Sequence, residues 1–81
     1  MSGNKTDAGV LGRIKALVEE EHSLRSEQEL ADDRVQRLES IRIELDQCWD
    51  LLRQRRALRE FGRDPAEAAV RPPQIVENYE Q

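Results

Sequence analysis

The chain has 81 residues and a mass of 9.4 kDa, enough for one small domain and no second. Charged and hydrophobic residues each make up 37% of it, and the aromatics are Trp49, Phe61 and Tyr79 alone, which excludes a large single core. Thirteen Lys and Arg face seventeen Asp and Glu, a net charge of −4 that opposes uniform attraction to nucleic acid or anionic lipid. A membrane span is excluded because no run of about 18 uncharged apolar residues exists. The N-terminus has no apolar stretch before a small-residue cleavage site, so no secretory leader is expected. A lone cysteine, Cys48, rules out an internal disulfide. These features predict a soluble, cytoplasmic, helix-rich protein.

Residues 1–6 are small and polar and read as a disordered leader. Thr6 or Asp7 is placed to cap a first helix. Val10, Ile14, Leu17 and Leu24 then form a heptad-like stripe, with Glu21 interrupting it. Gly12 weakens this helix by roughly 1 kcal/mol relative to Ala without ending it. The helix is predicted over about 8–26. The stretch Ser26 to Ala31 holds neither Gly nor Pro, and a turn is placed there, centred near Gln28 and Glu29. The alternative is one rod over 8–60, which would leave its apolar stripe in water.

Asp32 is a plausible cap for a second helix, with Asp33 in its first turn, where negative charge suits the dipole. Val35, Leu38, Ile41, Leu45, Cys48, Leu52 and Arg55 recur at spacings of three and four, and Trp49 and Leu51 widen the stripe. No Gly or Pro interrupts 32–61, the helix is predicted over about 33–61, and Gly62 stands where a left-handed C-terminal cap belongs. About 28 residues at 1.5 Å each give roughly 42 Å. Asp64-Pro65-Ala66-Glu67 restarts the chain with a cap, a proline at a first helical position and an acid three residues on. Only a short helical turn fits before Arg71-Pro72-Pro73 imposes an extended path. In the tail, Ile75 and Tyr79 share one face if it is helical. The domain plan is a leader (1–6), a helical hairpin (7–62) and a short turn with tail (63–81).

A short connection makes the helices antiparallel neighbours. The register set by the turn puts Leu17 beside Ile41, Ile14 beside Ile43 and Leu45, Val10 near Cys48 and Glu20 opposite Arg37. Helix two overhangs helix one by about a dozen residues. Leu51, Leu52, Leu58 and Phe61 lie on that overhang, to be covered by the tail or by a second chain. One seam makes a marginal fold on its own, which favours a homodimer that closes a four-helix bundle. The fold class is therefore all-α: a coiled-coil-like hairpin with a short C-terminal turn and tail, dimerising. Leu38, Ile41, Leu45, Cys48, Trp49 and Leu52 are the candidate core and assembly residues. Trp49 belongs to that core or interface, where its indole N–H needs a partner.

The charge is bipolar. Glu19, Glu20, Glu21, Glu27, Glu29, Asp32 and Asp33 cluster early, and Arg53, Arg55, Arg56, Arg59 and Arg63 cluster late. Solvated helix faces and intrachain pairing account for most such blocks. His22 shares a face with Glu19 and Ser26, but no second His or Cys stands at ligand spacing, so no metal site is expected. Cys48 on the apolar stripe reads as a buried, inert thiol. Asp46 and Asp50 can pair along the helix with Arg42 and Arg53; alternatively Asp46, Gln47, Asp50 and Gln54 form a polar recognition face. Glycine-rich phosphate loops and nucleophile elbows are absent, and no cofactor is implied.

The run Leu45-Asp46-Gln47-Cys48-Trp49-Asp50-Leu51-Leu52-Arg53-Gln54-Arg55-Arg56-Ala57 resembles the signature of a family of small actinobacterial helical proteins, domain of unknown function 2630. Glu20-Glu21-His22, Arg37-Leu38, Gly62, Asp64-Pro65, Val70-Arg71-Pro72, Val76-Glu77 and Tyr79 extend the resemblance over about 10–81. It implies no particular activity. A second likeness is enzymatic. Leu45-Asp46 through Leu51-Leu52-Arg53-Gln54-Arg55 is similar to the first helix of all-helical chorismate mutases, which hold an acidic substrate with arginines inside a helical dimer. In that family the helix is N-terminal and catalytic helices follow; here only a short tail follows, and the required Lys and Glu have no matching positions.

The function expected from the sequence is a non-catalytic helical interaction or adaptor protein. Arg53, Arg55, Arg56 and Arg59 at the end of helix two would meet an acidic protein partner. The alternative is a nucleic-acid accessory factor gripping phosphates with the same arginines, although no aromatic is interleaved among them before Phe61. A small helical enzyme of chorismate-mutase type comes third.

Overall fold

The Thr6 hydroxyl opens the first helix by accepting a hydrogen bond from the Gly9 N–H at 2.9 Å. That satisfies one of the orphan donors of the first turn. Helix α1 spans Asp7–Arg25 and α2 spans Asp32–Glu60. A 3₁₀ turn at Pro65–Glu67 and a short helix α3, Pro73–Glu77, follow. The structure is a computed structural model that describes residues 6–26 and 32–77. Among them there is no strand. Residues 1–5 of the expected leader, the turn centre at Gln28 and Glu29, and Tyr79 lie outside the described residues, whereas Thr6, the last residue of that leader, belongs to α1 as its cap.

The two long helices form an antiparallel hairpin, not a rod. Arg37 donates to Glu20 through both Nε and Nη2, each at 2.7 Å, and Arg13 Nε reaches Glu44 at 2.7 Å. These pairs mark the register expected from the turn. Val10, Ile14, Leu17, Ile41, Cys48 and Leu51 form the buried cluster, with Leu24, Leu45, Leu52 and Ala68 packed against it. Ile43 departs from the expected pairing with Ile14. It lines a cavity of about 460 Å³ with Arg13, Gln47 and Val70 on the tail side of α2. At about 100° per residue, Ile43 lies some 160° around the helix from Ile41, which faces α1.

Trp49 is expected in the core or in an interface. It is 46% exposed, so it is not part of the intrachain core. Asp32, predicted as a cap, is itself the first residue of α2, and it shares the acidic first turn with Asp33. The C-terminal end of α2 follows the sequence closely. Gly62 has φ +73, its N–H donates to the Arg59 carbonyl at 3.0 Å, and Arg63 N–H donates to the Leu58 carbonyl at 2.7 Å. This is a Schellman cap, and it turns the chain back along α2. Asp64 then caps the 3₁₀ turn, accepting from the Ala66 N–H at 2.9 Å. Glu67 pairs with Arg63 at 2.6 Å.

The returning tail covers part of the overhang, and Leu51 is buried beneath it. Pro73 opens α3 rather than prolonging an extended path, since a proline at a first helical position loses no hydrogen bond. Among the described residues Val76 is the tail residue that goes inside, and Ile75, placed on a shared face with Tyr79, is exposed.

Candidate functional site

The last turns of α2 carry the arginines singled out by the sequence, and the fold divides them. Arg55 lies on the stripe of α2 that faces α1 and is only 6% exposed. Its Nε donates to Asp7 Oδ1 at 2.5 Å. Arg59, one turn on, reaches Asp7 Oδ2 at 3.1 Å. Together they bind the N-terminal turn of α1 to the far end of α2. Their hydrogen bonds hold the Asp7 carboxyl below its ordinary range. The expectation that Arg55 meets a partner is therefore corrected: its guanidinium is turned inward and committed to the hairpin.

Arg53, Arg56 and Arg59 remain on the exposed side. Arg56 has a 77% exposed side chain and a long contact of 3.4 Å to Glu60, one turn away. Such an exposed pair contributes little and exchanges readily. Phe61 follows, 82% exposed, and shares a shallow cleft with Ala57, Leu58, Arg63, Glu67 and Arg71. The sequence placed Phe61 on the overhang. The Schellman turn leaves it in water, because it occupies the cap position beyond the last packed turn.

A second constellation lies on the tail side. Asp50 is 1% exposed; it accepts from Gln54 Nε2 at 2.9 Å and pairs with Arg71 Nε at 3.3 Å. Gln54 also donates to the Ala69 carbonyl at 2.7 Å and accepts from the Ala69 N–H at 3.3 Å. Gln47 donates to the Arg71 carbonyl at 3.0 Å. Three of the four residues read as a recognition face thus recognise the chain's own tail. The fourth, Asp46, pairs with Arg42 at 3.3 Å.

The remaining candidates are structural. Ile41 and Cys48 are buried, and Leu38, Leu45 and Leu52 are half-buried. Burial pushes the Cys48 thiol up, with the Glu44 carboxylate adding to it, which disfavours a reactive thiolate. His22 is exposed on α1. Among the described residues no group of three or more His, Cys, Asp or Glu is placed to hold a metal, and no helix is long and apolar enough to cross a membrane.

The architecture defines a small antiparallel helical hairpin with a tail strapped along its longer helix. The chain belongs to the family described as "Protein of unknown function (DUF2630)", whose model matches residues 6–81. It is 53% identical over 78 residues to the uncharacterized protein Rv0898c of Mycobacterium tuberculosis, covering 91% of this chain and 90% of that one. The uncharacterized protein Mb0922c of Mycobacterium bovis matches with the same identity and coverage. No solved structure matches the chain.

Proposed function

We propose that the protein is a non-catalytic helical interaction module that meets an acidic protein surface with the basic end of α2. The observation that carries this reading is Phe61, 82% exposed at the helix end that also bears the exposed Arg56. An aromatic beside arginines is the composition of a protein-binding hot spot. Arg53, Arg56 and Arg59 are the contact arginines in this reading. Arg55 supports them indirectly, by fixing the end of the hairpin on which they stand. No aromatic is interleaved among these arginines to stack on bases, which favours a protein over nucleic acid as the partner.

The test is co-purification with the tagged chain from lysate of its native host, with and without nuclease. Wild type is compared with the variant carrying Arg56→Glu and Phe61→Ala. A protein that survives nuclease and is lost from the double variant supports the reading. Recovery that collapses with nuclease transfers the arginines to phosphate binding.

A further inference from the structure

The two sides of α2 that flank its α1 seam are not equivalent. Helix α1 sits on the line through Ile41, Cys48 and Arg55. The tail occupies the flank that carries Gln47, Asp50, Leu51 and Gln54. At about 100° per residue, Leu38, Leu45, Trp49 and Leu52 fall on the other flank of α2. The Arg13–Glu44 and Arg37–Glu20 pairs lie along the tail-side edge of the seam. In an antiparallel pair the same side of α1 faces the same way, so Leu11 and Val18 fall on the edge away from the tail. Leu11, Val18 and Trp49 are each about half exposed, and they border the half-buried leucines. The result is an apolar face across both helices, away from the strapped tail, with the exposed Arg42 and Arg56 at its rim.

We propose that this face is a self-association surface, on which a second copy of the chain packs with its α2 antiparallel to the first, closing a four-helix bundle. The inference does not rest on the reading of the basic end, but the two share Arg53: where it faces Glu39 of a second copy, Arg56, Arg59 and Phe61 are left for an acidic partner. Two features favour a second copy as the occupant. The first is size. Helix α1 has 19 residues, so the face is about 28 Å long, and two helices side by side are about 20 Å wide. That is about 560 Å² per protomer, on the order of 1,100 Å² for a symmetric pair, above the roughly 1,000 Å² a specific interface needs.

The second feature is charge. Along α2 the first half carries the exposed acids Asp32, Asp33 and Glu39 against Arg42, which pairs with Glu39 at 2.6 Å, whereas the second half carries the exposed Arg53, Arg56 and Arg59 against Glu60. A two-fold axis near Leu45 and Trp49 brings Arg53 of each copy opposite Glu39 of the other. The parallel arrangement sets arginines against arginines. Two-fold symmetric faces are self-complementary by necessity, and a helix with opposite charge at its two halves meets that condition only antiparallel.

The test measures the mass of the full chain by sedimentation equilibrium over about 1–200 μM, a span that brackets micromolar dissociation constants, while following the emission of Trp49, the sole tryptophan. The expected result is a rise from 9.4 kDa to twice that mass, with a blue shift as Trp49 leaves water. Val18→Glu keeps the tryptophan. It is expected to hold the chain at monomer mass with unshifted emission and unchanged helicity by circular dichroism. Leu11→Lys is the second variant, should the first fail to fold, with the same expectation. Arg53→Glu should weaken association at least tenfold, and Glu39→Arg in the same chain should restore it. Monomer mass throughout overturns the proposal. So does a dimer that keeps its mass in Val18→Glu or Leu11→Lys, or one that forms without moving the emission. Failure of Glu39→Arg to restore association overturns the antiparallel arrangement.

Discussion

Arg55 and Asp7 are separated by 48 residues of sequence and joined by a 2.5 Å bond from Nε to Oδ1. This contact closes the open end of the hairpin. The other end is closed covalently by the connection between α1 and α2, so Asp7 and Arg55 are where the helices would otherwise splay. The guanidinium is nearly excluded from water, whereas the carboxylate remains partly open to it. Removal of the arginine therefore costs more than removal of a surface partner. Arg55→Ala is expected to destabilise the fold by about 1–3 kcal/mol, combining a lost charge-assisted bond with lost packing of the stem. Arg59→Ala, whose side chain is 45% exposed, is expected to cost no more than about 1 kcal/mol. Urea unfolding followed at 222 nm compares the two. Equal losses would contradict the division between a buried clamp and an exposed auxiliary.

Acid should open the hairpin along the same contacts. Arg55 and Arg59 lower the Asp7 carboxyl, and Arg37 lowers the Glu20 carboxyl through its paired hydrogen bonds. A carboxylate whose folded-state pKa lies below its unfolded one stabilises the fold fully above the unfolded value, about 3.9 for Asp and about 4.3 for Glu. That stabilisation fades as the pH falls through the folded value. The melting temperature is therefore expected to be flat with respect to these two groups from pH 7 to about 5 and to fall below about pH 4. Asp7→Asn and Glu20→Gln should each flatten the acid limb while lowering the neutral plateau. A variant with an unchanged acid limb would remove that carboxylate from the account.

The hairpin was legible in the sequence because its signals are local and redundant. The apolar spacing from Val10 to Leu24 and from Leu38 to Leu52, the cap at Thr6 and the Gly at 62 each act within one or two turns of helix. Glu20 and Arg37 confirmed the register because a hairpin without insertions has only one free alignment. The burial of Arg55 was less accessible. It continues the apolar stripe by spacing, but a run of four arginines within seven residues reads as a solvated surface unless the fold supplies an acid such as Asp7 to one of them. The tail strap was half visible. Gln47, Asp50 and Gln54 stood out as a polar face, yet side chains that bind backbone groups impose no sequence pattern on their partner, so Ala69 and Arg71 could not be picked out as the ligands. Phe61 misled for a different reason. Its hydrophobicity suggested packing, and the left-handed turn at Gly62 takes the backbone away before any neighbour covers it.

That turn gives a further prediction. A side chain at Gly62 would meet no neighbour within 4 Å, so any penalty is conformational and not steric. Gly62→Ala must hold an L residue at φ +73, which costs about 1–2 kcal/mol. Gly62→Asn should recover part of the loss, because Asn tolerates the left-handed region better. The measurement is the urea midpoint of the three proteins at fixed temperature, with the slope checked for constancy. If Ala equalled Gly, the returning path of residues 63–76 would not depend on this cap.

The strap itself can be released by one side chain. The Gln54 amide occupies both backbone groups of Ala69 and also donates to the buried Asp50. In Gln54→Ala the Ala69 carbonyl and N–H turn to water, whereas Asp50 keeps Arg71 as its charged neighbour. The loss is expected to be about 1–2 kcal/mol and confined to the tail, because the α1–α2 seam does not pass through Gln54. Hydrogen exchange separates local from global effects. The backbone amides of residues 69 and 76 should lose protection in the variant, while those of Leu17 and Ile41 in the seam keep theirs. Uniform loss across all four would mean that tail and seam unfold as one unit, and the overhang of α2 would then depend on the strap for its helicity.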